Sequence, residues 1–124
     1  MSGIDYLIDT NILIYIIKGN PKVEYFAKSE MLAISFISEM EVSGKYQVSK
    51  EEKQIIGNVL KNCCIFEMDA QIKQRAINIK QNIRIKLPDA IIAATAIKNK
   101  IPLVTADKDF KRLADLDLVF IDIS

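Results

Sequence analysis

Short apolar runs of the kind that form buried strands alternate along this chain with segments whose apolar residues recur at helical spacing. Consecutive parallel strands need a crossover between them, usually a helix, so this order favours a mainly parallel sheet covered on both faces. We predict a single domain over residues 1–124, a three-layer α/β/α fold with a central sheet of four to five strands. The predicted strands are residues 4–8, 31–36, 64–67, 101–107 and 118–123, and the predicted helices are residues 11–19, 21–28, a segment after residue 38, 50–62, a segment from 70 to about 83, 87–100 and 108–116.

Local signals mark the starts of several of these helices. Pro21 and Pro88 each favour the first turn of a helix, and Asp69 is a typical N-cap. Ser38 is followed three residues later by Glu41, which is the spacing of a capping box. The sequence therefore predicts Ser38 as the N-cap of the helix after the second strand.

The chain contains no histidine, which excludes His-dependent serine or cysteine catalysis and His-ligated zinc. The two cysteines, Cys63 and Cys64, are adjacent, so an ordinary disulfide between them is not expected. Any catalysis must use carboxylates, lysine, hydroxyls or a hard metal ion. No apolar run approaches the roughly 20 residues that cross a bilayer, and the first residues do not resemble a signal peptide, so we expect a cytoplasmic protein with no membrane association.

Acidic residues fall at the ends of the predicted strands and in the helices that follow them. Asp9 follows the first strand, Asp107 follows the fourth, Asp89 lies in the first turn of the helix at 87–100, and Glu41 lies one turn into the helix after the second strand. In a doubly wound sheet the carboxyl ends of the strands share one edge, where ligands bind. The four acids are thus expected to converge, although each taken singly is also explained as a cap or as a partner of the helix dipole.

Convergence would have an electrostatic cost that capping alone does not explain. Two carboxylates about 5 Å apart repel by roughly 3 kcal/mol at an effective dielectric constant of 20. Either their pKa values rise and they take up protons, or a divalent cation lies among them. All-oxygen ligands favour Mg²⁺, with Mn²⁺ as a substitute, and such a site is suited to phosphodiester hydrolysis.

These motifs resemble those of the PIN domains, in particular the small VapC-type ribonuclease toxins. They occur in the family's order and span nearly the whole chain, and the resemblance rests on "LIDTN", "SFISEME", "LPDAIIAATA" and "LVTADKDF". The resemblance implies four catalytic acids, three metal ligands with Asp109 as a fourth, and a set of polar residues that orient them. The catalytic acids are Asp9, Glu41, Asp89 and Asp107, the metal ligands are Asp9, Asp89, Asp107 and Asp109, and the orienting residues are Thr10, Asn11, Ser38 and Thr105.

The resemblance also implies a Mg²⁺-dependent endoribonuclease that acts as the toxin of a type II toxin–antitoxin module, with RNA as substrate, a small antitoxin as partner and a homodimeric state. Lys86, Lys108 and Arg112 flank the acidic segments and are candidates for binding the phosphate backbone. The alternative function is a catalytically silent binding module whose acidic pocket accepts a basic residue from a partner protein.

Two points stay open at the level of sequence. Glu39 competes with Glu41, since two residues are separated by about 200° around a helix and only one can face the site; we expect Glu41 there and Glu39 in solvent. The aromatic residues Tyr15, Tyr25, Phe26 and Tyr46 either stack on bases or pack in the core or an interface.

Overall fold

The computed structural model describes residues 3–29 and 31–123. It contains a five-stranded sheet in which every neighbouring pair is parallel, in the order β3-β2-β1-β4-β5. The predicted α/β/α fold with a parallel sheet is confirmed. The strands are β1 (Tyr6–Ile8), β2 (Leu32–Ser35), β3 (Cys63–Phe66), β4 (Leu103–Thr105) and β5 (Leu118–Phe120).

Helices connect the strands and cover both faces of the sheet. Two short 3₁₀ helices, Pro21–Val23 and Lys108–Arg112, accompany the α-helices. The predicted helix at 108–116 is therefore shorter than expected. The α-helices of the described residues are α1 (Thr10–Ile17), α2 (Glu24–Ala27), α3 (Phe36–Ser43), α4 (Lys50–Lys61), α5 (Ala70–Asn82) and α6 (Leu87–Asn99).

The core lies in two layers, one on each face of the sheet, because successive strand residues point to opposite faces. In β1, Leu7 packs with α5 and α6, whereas Ile8 packs with α1 and α4. Both side chains are fully buried. Helix α6 is buried along most of its length, as its alanine- and isoleucine-rich sequence predicts. No helix among the described residues has the length and apolar character needed to cross a bilayer.

The predicted cap at Ser38 is wrong. Helix α3 begins at Phe36, and its N-cap is Ser35, whose hydroxyl accepts a hydrogen bond from the Ile37 amide at 3.1 Å. Strand β2 runs into α3 without a loop, so its last residue also caps the helix. Ser38 is instead fully buried one turn into α3, where its hydroxyl can serve the site.

The order of the strands in the sheet indicates where a ligand-binding site is expected. The chain progresses from β1 to β2 and β3 on one side, and then returns to place β4 and β5 on the other side of β1. The carboxyl ends of β1 and β4 therefore form the switch point of the sheet, which is where open α/β sheets bind ligands.

Candidate functional site

Asp9 occupies the junction between β1 and α1 and is 4% exposed. Its amide donates to the Val104 carbonyl at 3.2 Å, which continues the pairing of β1 with β4. Its Oδ1 accepts from the Ile12 amide at 2.9 Å and caps α1, while its Oδ2 accepts from the Thr105 hydroxyl. Asp9 is therefore a helix cap, as the simple interpretation predicts, but one carboxylate oxygen is also held from a strand 96 positions away.

Thr105 connects two of the acids. Its hydroxyl donates to Asp9 and accepts from the Asp107 amide at 3.0 Å. The Asp107 carboxylate in turn accepts from the Asp109 amide at 2.9 Å and caps the 3₁₀ helix. The orienting role predicted for Thr105 thus has a direct geometric basis.

The protonation of Asp9 reflects its surroundings. Burial is the main cause that raises its pKa from 3.8 to about 6, and the charges of Asp89 and Asp107 raise it further. The hydrogen bonds from Thr105 and Ile12 oppose this rise. Burial outweighs these two donors because neither of them brings a positive charge.

Asp89 lies in the first turn of α6, but it does not cap the helix with its side chain. Burial is the largest cause that raises the pKa of Asp89, and the charge of Asp107 is the second. The charges of Glu41 and Asp109 raise this pKa further, whereas the charge of Lys86 lowers it. Acidic charges from α3 and from the 3₁₀ helix at Lys108–Arg112 with its cap therefore act on this half-buried carboxylate.

A chain of hydroxyls holds Glu41. The Thr10 hydroxyl donates to Glu41 Oε1 at 2.7 Å and lies 2.8 Å from the Ser38 hydroxyl. Since Thr10 has one proton to give and Glu41 takes it, Ser38 is the donor to Thr10. The side chain of Glu39, by contrast, makes no hydrogen bond or ion pair with the residues described. The expectation that Glu39 is the solvent residue is nevertheless wrong, because it is half-buried while Glu41 is exposed.

Other predicted residues are distributed unevenly around this cluster. Asn11 is exposed and forms no side-chain hydrogen bond in the described part of the chain, so its predicted orienting role is not found. Asp109 is exposed, and its carboxylate lies 3.6 Å from the Arg112 guanidinium, whose Nε also donates to the Asp109 carbonyl at 3.3 Å. Arg112 is thus engaged locally, while Lys86 and Lys108 remain exposed beside the acids.

The type of donor at this edge fits a hard cation. The acidic side chains at this edge offer only carboxylate oxygens as ligand atoms. None of Asp9, Asp89 and Asp107 forms an ion pair with the described residues. Within residues 3–29 and 31–123, no three acidic, cysteine or histidine side chains already stand at the spacing of a metal site. Carboxylate oxygens are the ligands that hard divalent cations such as Mg²⁺ prefer.

Sequence reasoning missed a cavity of about 340 Å³ that adjoins Asp107. Its lining consists of Tyr15, Ala106, Lys108, Phe120, Ile121, Asp122 and Ile123. The only signal in the sequence is that Tyr15 is aromatic, because Phe120 is 105 positions away and no periodic pattern joins the two.

Comparisons with known proteins agree with this architecture. A family model described as PIN domain matches residues 6–116. Ribonuclease VapC2 of Rickettsia felis is 32% identical, and the match covers 91% of this chain and 95% of that protein. The chain therefore belongs to the PIN-domain family and is of the VapC type.

Solved structures show the same fold. A toxin–antitoxin complex from Klebsiella pneumoniae contains a chain with a TM-score of 0.78 and 32% identity, covering 93% of this chain and 96% of its own. VapBC2 from Rickettsia felis, bound to a DNA fragment from its promoter, gives a TM-score of 0.79 at 26% identity, with coverage of 96% and 100%.

Proposed function

We propose that this protein is a Mg²⁺-dependent endoribonuclease and the toxin of a type II toxin–antitoxin module. The observation that carries the proposal is the buried Asp9, whose pKa is raised to about 6 beside Asp89 and Asp107 at the switch point of the sheet. Family membership and the relative named Ribonuclease VapC2 support RNA as the substrate.

In this proposal Asp9, Asp89 and Asp107 hold the ion, with Asp109 as a further ligand and Mn²⁺ as a possible substitute for Mg²⁺. The ion supplies positive charge that lowers the pKa of the attacking water and offsets the charge that develops on the phosphate. Thr105 keeps Asp9 Oδ2 turned towards the site, and Thr10 does the same for Glu41. Hydroxyl donors of this kind keep the acids from turning apart when no cation is bound.

The cations at the rim would bind the phosphate backbone of RNA. Lys86 lies close enough to Asp89 to lower its pKa, and Lys108 directly follows Asp107. Arg112 would have to release Asp109 before it could contribute. We therefore expect Lys86 and Lys108 to contribute more to RNA binding than Arg112. We also expect cleavage to leave a 5′-phosphate on the product.

Relatives described as toxin–antitoxin and VapBC complexes support an antitoxin partner, and we also propose a homodimer. A cavity of about 180 Å³ between α1, α3 and α4 has an apolar part and a charged part, lined by Ile14, Ile17, Val42 and Ile56 and by Lys18, Glu41, Lys45 and Glu52. An apolar side chain of an antitoxin would fit there. The same feature favours the second candidate function, a silent binding module whose acids accept a basic residue from that partner.

The test is incubation of the purified protein with total RNA. Cleavage should require Mg²⁺, stop with chelator and fall by at least about 100-fold in Asp89→Asn. Asp115→Asn is the matched control, since Asp115 is an exposed acid whose described partner is Arg75 at 3.5 Å.

The outcomes separate the two candidates. Cleavage by Asp89→Asn at the wild-type rate contradicts the nuclease proposal. Tight antitoxin binding measured by calorimetry, with neither Mg²⁺ binding nor cleavage, supports the binding module.

A further inference from the structure

We propose that the cavity beside Asp107 is a subsite that stacks one base of the RNA next to the scissile phosphate. The cavity is lined by aromatic, charged and aliphatic residues: Tyr15, Ala106, Lys108, Phe120, Ile121, Asp122 and Ile123. This inference rests on the proposed ribonuclease function and specifies how the same site selects its substrate.

The cavity adjoins the acids through the chain itself. Ala106 and Lys108 are the two neighbours of Asp107, so its wall and the acidic edge share a loop. Tyr15 lies on α1, the helix that Asp9 caps, about 9 Å along the axis from that residue. A nucleotide whose phosphate lies at the acids can therefore place an adjacent base in the cavity.

Hydrogen bonds tie the cavity to the part of the site that orients Asp9. The Ile121 amide donates to the Thr105 carbonyl at 2.8 Å, and Phe120 is in register with Thr105 across β4 and β5. The Lys22 ammonium donates to the Ile123 carbonyl at 2.9 Å and fixes the segment that continues from this wall. These bonds connect the wall of the cavity to Thr105, the residue whose hydroxyl donates to Asp9.

The chemistry of the lining suits a nucleobase. Tyr15 and Phe120 are half-buried rings, and aromatic rings stack on any base because every base has a π face. Lys108 is exposed at the cavity, and the Lys111 ammonium lies 4.0 Å from the centre of the Phe120 ring. These cations would attract the phosphates on either side of the stacked base.

The size and charge of the cavity favour a base over a segment of protein. A volume of about 340 Å³ is at the lower end of the range for small-molecule sites. It leaves no room for a helix. Lys108 and Asp122 make part of its lining polar, which suits a nucleobase with hydrogen-bonding edges better than an apolar peptide.

The test uses amide NMR shifts of the wild-type protein during titration with adenosine 5′-monophosphate or ribose 5-phosphate, which differ only in the base. We expect the nucleotide to shift the Tyr15, Phe120 and Ile121 amides and to bind about 10-fold more tightly than the sugar phosphate. The Tyr15→Leu variant keeps apolar bulk but removes the ring, so it should lose this difference. Tyr25→Leu is the control, since Tyr25 is 73% exposed and lies outside the lining.

This titration needs no cleavage, so it is decided independently of the ribonuclease proposal. Equal shifts with both ligands, or shifts confined to the acids, would overturn the base subsite. Shifts of the same amides that depend on protein concentration alone would also overturn it, by showing that a second copy fills the cavity. If RNA cleavage is observed, Tyr15→Leu should raise KM about 10-fold and change kcat less than twofold.

Discussion

Asp9 and Asp69 perform the same structural task in very different surroundings. Each is an N-cap in extended conformation and accepts a hydrogen bond from the amide three residues ahead, Ile12 at 2.9 Å and Ile72 at 2.7 Å. Asp69 is 42% exposed and pairs with the Lys98 ammonium at 2.9 Å. Asp9 is buried and faces Asp89 and Asp107 instead of a cation.

The pKa values of the two carboxyls move in opposite directions as a result. The hydrogen bond from Ile72, and then that from Lys98, lower the pKa of Asp69, whereas burial raises that of Asp9. The exposed, ion-paired arrangement of Asp69 is sufficient for an N-cap. The burial of Asp9 among other acids exceeds what capping requires, and this excess is what indicates a functional site.

The largest expected effect is on catalysis. Asp9→Asn should reduce cleavage of RNA in Mg²⁺ on the order of 1000-fold, because it removes a negative charge that holds the ion while keeping a capping oxygen. Asp69→Asn should leave the rate within about twofold. Rates measured on one RNA under identical metal conditions check both. A similar loss in the two variants would show that the caps do not differ in function.

Stability should change in the opposite sense to activity. The pKa of Asp9 is higher in the folded state, so ionising Asp9 lowers the free energy of unfolding. This loss of stability is absent below about pH 4 and grows as the pH rises towards about 6. Above that pH it is complete, at about 3 kcal/mol. Asp9→Asn removes this ionisation cost, so it should raise the free energy of unfolding at pH 8 by up to about 3 kcal/mol and leave it nearly unchanged at pH 4. Denaturant unfolding at the two pH values measures this difference.

Asp69→Asn should behave in reverse. Its folded-state pKa is lowered, so the stability that it contributes is present at neutral pH and is lost as the pH falls through that value.

Added Mg²⁺ should stabilise the wild-type protein at pH 8 but not Asp9→Asn. An Asp9→Asn protein that is less stable than wild type at pH 8 would contradict the electrostatic account.

A smaller effect is expected from Thr105→Val, which keeps the shape but removes the hydroxyl shared by Asp9 and Asp107. Cleavage should fall by about 10-fold or more, since groups that orient metal ligands typically contribute that much. Thr95→Val is the matched control, because Thr95 is equally buried and its hydroxyl donates only to the Ile91 carbonyl. Equal losses in both would point to a general packing defect.

The smallest effect separates two glutamates of one helix. Glu41→Gln should lower the rate by about fivefold, because Glu41 receives the Thr10 hydroxyl and its charge reaches Asp89. Glu39→Gln should change it by less than twofold. Cleavage rates of the two variants, measured in parallel, show which glutamate belongs to the site. A larger loss of rate in Glu39→Gln than in Glu41→Gln would assign the site to Glu39.

Much of the fold could be predicted because its signals are local. The buried strand before Asp9 and the helix at Leu87–Asn99, with Pro88 in its first turn, are each recognised from a few consecutive residues. The cap of α3 was misplaced because the spacing of Ser38 and Glu41 imitates a capping box, whereas the tertiary contact to Thr10 decides their roles. A pattern within one helix cannot contain that information.

The site was predicted less completely for the same reason. The acids follow from the strand ends and from the family motifs, but the distinction between Asp9 and Asp69 depends on burial and on Lys98. Tyr15 and Phe120 line the same cavity although they are far apart in the chain, and no pattern in the sequence relates them.

The hydrogen bond from the Ile121 amide to the Thr105 carbonyl connects the edge strand β5 to the residue whose hydroxyl donates to Asp9. Strand β5 is three residues long and lies at the border of the sheet, where fraying is easiest. Each opening of this border would release the backbone of the residue whose hydroxyl orients Asp9. The hydrogen–deuterium exchange rate of the Ile121 amide therefore reports how often this edge of the sheet opens.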